Sequence, residues 1–253
     1  MNILTQQDKA GLQEQEYMFP YHYIPQIRQD GVFSSIQFLD WGYDYLCCVK
    51  HIAQVIISLS PQSMLDVGCG DGRLIHELQG GVERLVGIDF SERSLHFARG
   101  FNAHGEFLHV DLGALSEEFE LVTAIEVLEH IPDEGIADFL KKLSSRVKKG
   151  GYLLLSVPTI AFPLTPKHYR HYTLELLEEQ VAKAQLPVVK VRAEYLFRAC
   201  PLLKRLMRLT MNRFFSLEVR FLQKMIWHHV WNHLRVADEK SGGHLLVCFR
   251  KNF

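Results

Sequence analysis

The sequence lacks several features that define whole classes of protein. No run of about 18 apolar residues occurs, so no segment predicts a membrane-spanning helix. Residues 1–11 are polar and contain no apolar core of the kind found in secretion signals. The five cysteines include no Cys-x-x-Cys pair, which argues against a disulfide framework and against a thiolate metal site. We therefore expect a cytoplasmic globular protein.

An excess of charge of one sign is also missing over the chain as a whole. The formal net charge is −1, so no overall field draws the chain to nucleic acid, and we expect no nucleic-acid partner. The stretch 199–235 differs, because it holds seven basic residues and a single acid, Glu218. The basic residues are Lys204, Arg205, Arg208, Arg213, Arg220, Lys224 and Arg235.

Leucines and aromatic residues alternate with these basic residues at helical spacing, which predicts amphipathic helices in the stretch 199–235. Three roles fit such helices: contact with a membrane surface, a lid or dimer contact with a solvated face, and contact with nucleic acid. The sequence alone does not choose between a monomer and a homodimer.

From residue 63 onward, short apolar strands alternate with helices. The predicted strands are 64–67, 85–88, 107–110, 121–125, 152–157, 187–191 and 244–249. The predicted helices are 38–60, 73–79, 91–99, 132–150 and 173–185, with Ser91 and Thr173 as N-caps. This alternation predicts right-handed βαβ units and a mostly parallel sheet of the α/β class.

The chain divides into four segments on this pattern. Residues 1–60 predict an aromatic, helical cap, and residues 61–198 predict the α/β core. Residues 199–235 predict a helical insertion, and residues 236–253 predict the last strand of the core.

A glycine-rich loop follows the first predicted strand. Residues 66–72 read DVGCGDG, so the glycines recur as Gly68-x-Gly70-x-Gly72, a shorter spacing than the dinucleotide fingerprint. Glycine lets the backbone approach a ligand closely, and a following helix N-terminus favours a carboxylate. Asp89 ends the second strand, where a carboxylate can accept both hydroxyls of a ribose. Together they predict a nucleoside-type ligand.

Four segments together resemble the successive motifs of class I, Rossmann-like S-adenosylmethionine-dependent methyltransferases. They are residues 64–72, 86–89, 110–112 and 126–132. The broad group that this chain resembles includes quinone-biosynthesis and sugar or surface-glycan methyltransferases. The resemblance covers residues 60–185 and the last strand, and its loop motif identifies the donor class without identifying the acceptor.

The resemblance implies a fold and a cofactor site. The fold is a seven-stranded sheet in the order 3-2-1-4-5-7-6, with strand seven antiparallel and helices on both faces. Asp89 would bind the ribose, Phe90 would pack on the adenine, and Glu126 would lie beside the reacting centre. The full set of expected cofactor residues is Asp66, Gly68, Cys69, Gly70, Gly72, Asp89, Phe90, Ser91, Asp111, Leu112 and Glu126.

The acceptor side is expected to carry a base, because methylation of an alcohol requires removal of its proton. Histidine is the usual base near neutral pH, and His130, His168 and His171 are the candidates, as base or as ligand of the acceptor.

Expected substrate contacts are Tyr21, Tyr23 and Arg170. The N-terminal aromatic residues Tyr17, Phe19, Tyr21, His22 and Tyr23 fit either a lid or ordinary packing.

Glu126, Glu129 and His130 lie at i, i+3 and i+4, and would share one face if this turn were helical. With His168 and His171 they could bind a divalent ion. Small-RNA 3′-end 2′-O-methyltransferases have a similar motif and use it for metal. In metal-free members of the wider group, the same motif orders the strand-four loop while the histidine loop meets the substrate.

We expect S-adenosylmethionine as the cofactor and no divalent metal. The expected reaction moves a methyl group to an oxygen of a small-molecule, glycan or lipid-linked acceptor. The alternatives are a metal-dependent RNA ribose 2′-O-methyltransferase and a non-catalytic protein that binds S-adenosylmethionine.

Overall fold

A computed structural model describes residues 8–9, 11–12, 26–27, 33–34, 42–210, 217 and 219–252. Within these residues, one mixed sheet holds eight strands in the order 3-2-1-4-5-8-6-7. They are β1 (Ser63–Val67), β2 (Arg84–Ile88), β3 (Glu106–Leu108), β4 (Phe119–Ile125), β5 (Val147–Pro158), β6 (Val188–Arg198), β7 (Val236–Ala237) and β8 (Gly242–Lys251). A separate two-stranded ribbon pairs Gln26–Ile27 with Phe33–Ser34.

The described helices cover both faces of this sheet. They are α1 (Gly42–Leu59), α2 (Arg73–Leu78), α3 (Glu92–Phe101), α4 (Ile136–Ser145), α5 (Leu174–Lys183), α6 (Pro201–Thr210) and α7 (Arg220–His229). Ser91 accepts a hydrogen bond from the Ser94 amide and Thr173 accepts one from the Leu176 amide, so both predicted N-caps are confirmed. No helix of the described residues is long and apolar enough to span a bilayer.

The predicted number of strands was wrong by one. β7 consists of Val236 and Ala237 alone, which pair antiparallel with Leu196 and Tyr195 of β6. Two residues are too few to produce an alternating pattern in the sequence. The strand that follows, β8, lies between β5 and β6 and is antiparallel to both, as predicted for the closing strand.

The predicted helix 132–150 was also wrong at its end. The helix stops at Ser145, and β5 begins at Val147, which pairs with Phe119. The Gly150-Gly151 pair therefore lies inside a strand. The β4–β5 register shifts nearby, between Phe119 and Leu121, and a Cβ on Gly151 would lie only 2.6 Å from the carbonyl oxygen of Glu120. Glycine is required here because two backbones approach each other closely. A glycine pair that ends a helix looks the same in the sequence, which explains the wrong prediction.

Two hydrophobic clusters fill the two sides of the sheet. Met64 of β1 packs in one cluster with Ile52 of α1 and Ile75 of α2, and its neighbour Leu65 packs in the other with Leu140 of α4. Successive strand residues point to opposite faces, so this division follows from the pleat. Burial on both faces also explains why the strands read as continuous apolar runs.

The helices α6 and α7 lie between β6 and β7, in the stretch where the sequence predicts amphipathic helices. Leu203 of α6 packs on the core, while Leu202 and Leu209 are more than two-thirds exposed. Arg205 and Arg208 are exposed on the same helix. A membrane, lid or dimer role for this stretch stays a prediction, and Arg213 lies outside the described residues.

The glycine explanation for residue 151 can be tested with a pair of alanine substitutions. Gly151→Ala should destabilise the fold by about 1–3 kcal/mol, because the clashing atoms are backbone carbonyls that cannot turn away. Gly100→Ala is the matched control, since Gly100 lies in α3 with open space around it, and it should stabilise by about 0.5–1 kcal/mol. Thermal melts should separate the two variants by about 2–4 °C for each kcal/mol. Equal melting temperatures would contradict the packing.

Candidate active site

The candidate site lies along the edge where the parallel strands end. The loops after β1, β2, β4 and β5 emerge at this edge, and the antiparallel β8 begins there, with His244 paired to Pro158 at the end of β5. The chain order along the sheet reverses between β1 and β4, which opens a crevice at this point. Ligands of open α/β sheets bind in such crevices.

The loop after β1 has the backbone conformation that its glycines predict. Gly68, Gly70 and Gly72 all have positive φ, at 76°, 54° and 75°. The amides of Gly68 and Cys69 both donate to the carbonyl oxygen of Ile88, at 2.8 and 3.0 Å. A Cβ on Gly68 would lie 2.5 Å from the Val127 side chain, so this loop is packed directly against the loop after β4. The donor loop and the strand-four loop are therefore neighbours.

Asp89 joins the first two loops at the end of β2. Its Oδ2 accepts a hydrogen bond from the Gly70 amide at 2.9 Å, and its Oδ1 accepts one from the Ser91 amide at 2.8 Å. The carboxylate is buried, and a carboxylate oxygen can accept more than one hydrogen bond, so this group can also accept from a ribose hydroxyl. Phe90 follows it with 60% of its surface exposed, so its ring is available to pack on an adenine. The residues present thus fit S-adenosylmethionine.

The other expected cofactor side chains are mostly buried, with Asp111 as the exception. Asp66 is buried, and the Thr123 hydroxyl donates to its Oδ1 at 2.6 Å. Burial raises the pKa of Asp66 to about 7, although the hydrogen bond from Thr123 opposes the rise. Asp111 is exposed and accepts from the Gly113 amide at 2.7 Å, whereas Leu112 is buried in the core. Cys69 and Ser91 are likewise buried.

Glu126 occupies a strained position at the end of β4. Its φ of 56° lies in the left-handed region that a glutamate rarely adopts. The Ser156 hydroxyl donates to Oε1 at 2.7 Å, and Oε2 lies 3.1 Å from Nδ1 of His244. Burial would raise the pKa of Glu126, but the charge and hydrogen bond of His244, together with the Ser156 hydrogen bond and the charge of His168, hold that pKa below its usual range. Burial would lower the pKa of His244, and the Glu126 carboxylate raises it above its usual range.

His244 was missed by the sequence analysis. The residue is the third of the last strand, directly after the Gly242-Gly243 pair. An antiparallel strand begins at the edge where parallel strands end. The predicted antiparallel direction of the last strand could therefore have been used to predict that His244 lies at this edge.

Three histidines gather between the loops after β4 and β5. Nδ1 of His171 lies 3.0 Å from the Phe162 carbonyl oxygen, and its Nε2 lies 2.8 Å from Nδ1 of His168. A carbonyl oxygen only accepts, so His171 donates from Nδ1 and, when its ring is neutral, accepts at Nε2. His168 then donates from Nδ1 and keeps a lone pair on Nε2. Burial and the charges on His130 and His171 lower the pKa of His168 to about 3, so this ring stays neutral.

The glutamates of the strand-four loop diverge. Glu126 precedes a 3₁₀ turn, Leu128–His130, so Glu126, Glu129 and His130 do not share a helical face as the spacing suggested. Glu129 points into the interior, where burial and then the charge of Glu126 raise its pKa well above the usual range. Its Oε2 is buried with no hydrogen-bond partner among the described residues. Ligand atoms of Glu129, His130 and His168 lie within 4.8 Å of one another, a set that could hold a divalent ion.

The expected substrate residues separate into two groups. Arg170 donates from Nη1 to the Leu128 carbonyl oxygen at 3.1 Å and forms an ion pair with Asp133 at 2.5 Å. These contacts join the loop after β5 to the loop after β4 and favour a positioning role over acceptor contact. Tyr21 and Tyr23 lie outside the described residues, as do Tyr17, Phe19 and His22.

Comparison with known proteins agrees with this site. A family model described as "Methyltransferase domain" matches residues 43–191. The ubiquinone biosynthesis O-methyltransferase of Leptothrix cholodnii is 33% identical over 114 residues, 42% of this chain and 48% of that protein. The corresponding protein of Thiobacillus denitrificans is 35% identical over 106 residues, 39% of this chain and 45% of that protein. The chain spans about half the length of the curated relatives that it matches.

Solved structures share the fold at low sequence identity. A S-adenosylmethionine-dependent methyltransferase from Archaeoglobus fulgidus has a TM-score of 0.56 at 18% identity, over 80% of this chain and 93% of that chain. The magnesium protoporphyrin IX methyltransferase from Synechocystis, crystallised with the demethylated product S-adenosylhomocysteine, has a TM-score of 0.58 at 14% identity, over 96% and 94%.

The donor loop, the Asp89 carboxylate and the sheet order are those of the Rossmann-like α/β fold that S-adenosylmethionine-dependent methyltransferases share. The chain belongs to the Methyltransferase domain family, whose model spans more than half of its length. The predicted family and cofactor are therefore confirmed, while the role of each site residue stays a prediction.

The adenine role of Phe90 can be tested by calorimetry. We predict that Phe90→Ala weakens binding of S-adenosylmethionine by about tenfold or more, the usual effect of losing an aromatic ring stacked on a base. Phe101→Ala is the matched control, because Phe101 is 54% exposed and lies at the end of α3, at the opposite edge of the sheet. Equal affinity of the two variants would contradict the assignment.

Asp66 should make the stability of the ligand-free protein depend on pH. In the unfolded chain the Asp66 carboxyl has its ordinary pKa of 3.8, whereas in the folded protein its pKa is about 7. Stability from the raised pKa is therefore present at low pH and is lost as pH rises, by at most about 1.4 kcal/mol for each unit. Asp66→Asn keeps the oxygen that accepts from Thr123 and removes the titration. Denaturant unfolding from about pH 4 to pH 8 should show a shallower loss in the variant, and parallel profiles would contradict the prediction.

Proposed function

We propose that this methyltransferase acts on a hydroxyl oxygen of a small-molecule acceptor. The observation that supports this proposal most directly is the Glu126–His244 pair beside Val127, against which the Gly68 loop packs. A hydroxyl must lose a proton when it is methylated, whereas many amines are nucleophilic without a base, so a partly buried carboxylate and imidazole beside the donor loop favour oxygen.

The curated relatives support the same chemistry. Those with 33% and 35% identity are named as O-methyltransferases of ubiquinone biosynthesis, and the reduced form of a quinone carries phenolic hydroxyls. A phenol is therefore the acceptor class we favour. A glycan or a lipid-linked hydroxyl would meet the same groups of this chain and remains within the proposal.

Residue roles follow from the contacts of each side chain. Asp89 and the Gly68–Gly70 backbone hold the donor, and Phe90 covers its adenine. His168 orients the acceptor as a neutral group, because its low pKa makes it a weak base. His171 fixes the tautomer of His168, and His130 lies edge-on to the His168 ring at 4.8 Å.

An acceptor panel with labelled S-adenosylmethionine tests the proposal. Catechol and hydroquinone should be methylated, octyl glucoside tests a lipid-linked sugar hydroxyl, and benzylamine should give no product. His130→Ala, His168→Ala and His171→Ala should each lower kcat/KM for the active acceptor, while donor affinity stays unchanged. Methylation of benzylamine alone would overturn the choice of oxygen. Wild-type rates in all three variants would remove the histidine cluster from the acceptor site.

A metal-dependent RNA ribose 2′-O-methyltransferase is the second candidate. It is favoured by the Glu129, His130 and His168 set and by the unpaired buried oxygen of Glu129. The same panel, extended with a short RNA and run with and without a chelator, separates the two functions. Methylation of RNA that is lost with chelator and regained with Mn²⁺ would favour this candidate, and unaffected turnover of catechol would favour the first.

A non-catalytic protein would bind the donor and methylate nothing in the panel. Donor binding without transfer to any acceptor would therefore favour that third alternative.

A further inference from the structure

The Glu126 side chain is held in place from three directions. Its backbone lies in the left-handed region, where a non-glycine residue persists only when surrounding contacts determine it. Its amide donates to the Ser156 carbonyl oxygen at 2.9 Å, and the Ser156 hydroxyl donates to Oε1 at 2.7 Å. The second oxygen, Oε2, faces His244. Strain of this kind concentrates at functional sites.

His244 is held at the start of β8, at the same edge of the sheet. The Thr159 amide donates to the Gly243 carbonyl oxygen at 2.9 Å, and the Thr159 hydroxyl donates to the Gly242 carbonyl oxygen, so the start of β8 is tied to the end of β5. Phe162 meets the imidazole edge-on, with ring centroids 5.9 Å apart. The His244 side chain is still 21% exposed, so a ligand can reach it.

We propose that His244 is the catalytic base that takes the proton of the acceptor hydroxyl, and that Glu126 is the positioning residue that orients it. This inference rests on the proposed transfer to oxygen. His244 lies outside the cluster formed by His130, His168 and His171. Glu126 then acts on the acceptor side, through His244, and not on the donor.

The hydrogen-bond geometry fixes which nitrogen is available. Nδ1 of His244 lies 3.1 Å from a carboxylate oxygen that only accepts, so Nδ1 carries a proton and Nε2 of the neutral ring carries a lone pair. A base held in this way by a carboxylate is oriented in one tautomer, and the imidazolium that forms is stabilised by the adjacent negative charge.

The proposed methyl transfer is a single displacement. S-adenosylmethionine supplies a sulfonium methyl, whose bond to sulfur breaks with its electron pair remaining on sulfur. A lone pair of the acceptor oxygen forms the new bond to carbon, and the hydroxyl proton passes to Nε2 of His244. The imidazolium, held by Glu126, then releases this proton to solvent.

Charges on the neighbouring elements favour His244 over His168 as the base. Glu126 and, from α1, Asp44 raise the pKa of His244 against the effect of burial. Burial raises the pKa of Asp44 to about 6, and the charges of His244 and Lys204 act against this rise. His168, which lies near Glu126, is itself held neutral with a pKa of about 3. General bases work best with a pKa near the working pH, and the pKa of His168 is too low for this, whereas the Glu126 carboxylate raises that of His244 above its usual range.

The central experiment compares His244→Gln with Glu126→Gln on the full chain, using catechol as the probe acceptor. His244→Gln should lower kcat by about 10²- to 10⁴-fold, the usual contribution of a general base. Donor binding by calorimetry should be unchanged, and added imidazole should restore part of the rate. His104→Gln is the matched control, because His104 is an exposed histidine at the far edge of the sheet, before β3, and its rate should equal that of wild type.

Glu126→Gln tests the positioning role. Its amide oxygen still accepts from Nδ1, but the negative charge is gone, so the acid limb of the kcat/KM profile should move to lower pH. Histidine NMR provides a readout that needs no turnover. The resonance absent from His244→Gln identifies His244, and its titration should move to lower pH in Glu126→Gln.

A wild-type kcat in a folded His244→Gln variant would overturn the inference. It would also be overturned if Glu126→Gln changed neither the acid limb of the kcat/KM profile nor the NMR titration of His244. If His244→Gln fails to fold, the pH profile of Glu126→Gln decides. If Glu126→Gln fails to fold, the NMR titration of the wild-type protein decides, because a pKa of His244 below the usual range of histidine would contradict the pair. Failure of the wild-type protein to methylate any hydroxyl would instead reject the proposed function, so the two failures are distinguishable.

Discussion

A buried carboxylate at the end of β2 organises the donor side of this protein. Asp89 accepts one hydrogen bond from the loop after β1 and one from the start of the next helical segment. Without it the Ser91 amide would be a buried donor and the Gly70 amide a partly buried one, and an unpaired buried amide costs about 1–3 kcal/mol. The glycine loop can adopt its left-handed conformation because this carboxylate holds it there. The position of Gly68 against Val127 then fixes the distance between the donor loop and the acceptor side.

Features that repeat along the chain could be predicted from the sequence alone. Each of Asp89 and Glu126 directly follows an apolar strand, and parallel strands place their ends together, so their convergence could be inferred without coordinates. β7 could not be found in this way, because Val236 and Ala237 carry no periodicity. The Gly150-Gly151 pair misled for a physical reason: a tight approach of two strands and the end of a helix both select glycine.

The acceptor side depends on contacts between residues far apart in sequence, which is why much of it escaped prediction. Glu126 and His244 are separated by most of the second half of the chain, and only the direction of β8 brings them together. The spacing of Glu126, Glu129 and His130 suggested one shared face. A positive φ at Glu126 instead sends one carboxylate toward β8 while the other points into the interior. Two histidine environments result, one electrostatically stabilised as imidazolium and one kept neutral.

The position of β8 has a consequence for how the protein acquires its activity. Among the strands described, β8 is the last to leave the ribosome, and yet it is inserted between β5 and β6, in the interior of the sheet. Until it arrives, β5 and β6 each present an unpaired edge, and the imidazole opposite Glu126 is missing. A nascent chain can therefore complete its donor loop well before it can complete its acceptor side. Pairings of such long sequence separation form slowly, so closure of the sheet and completion of the active site become the same late event in folding.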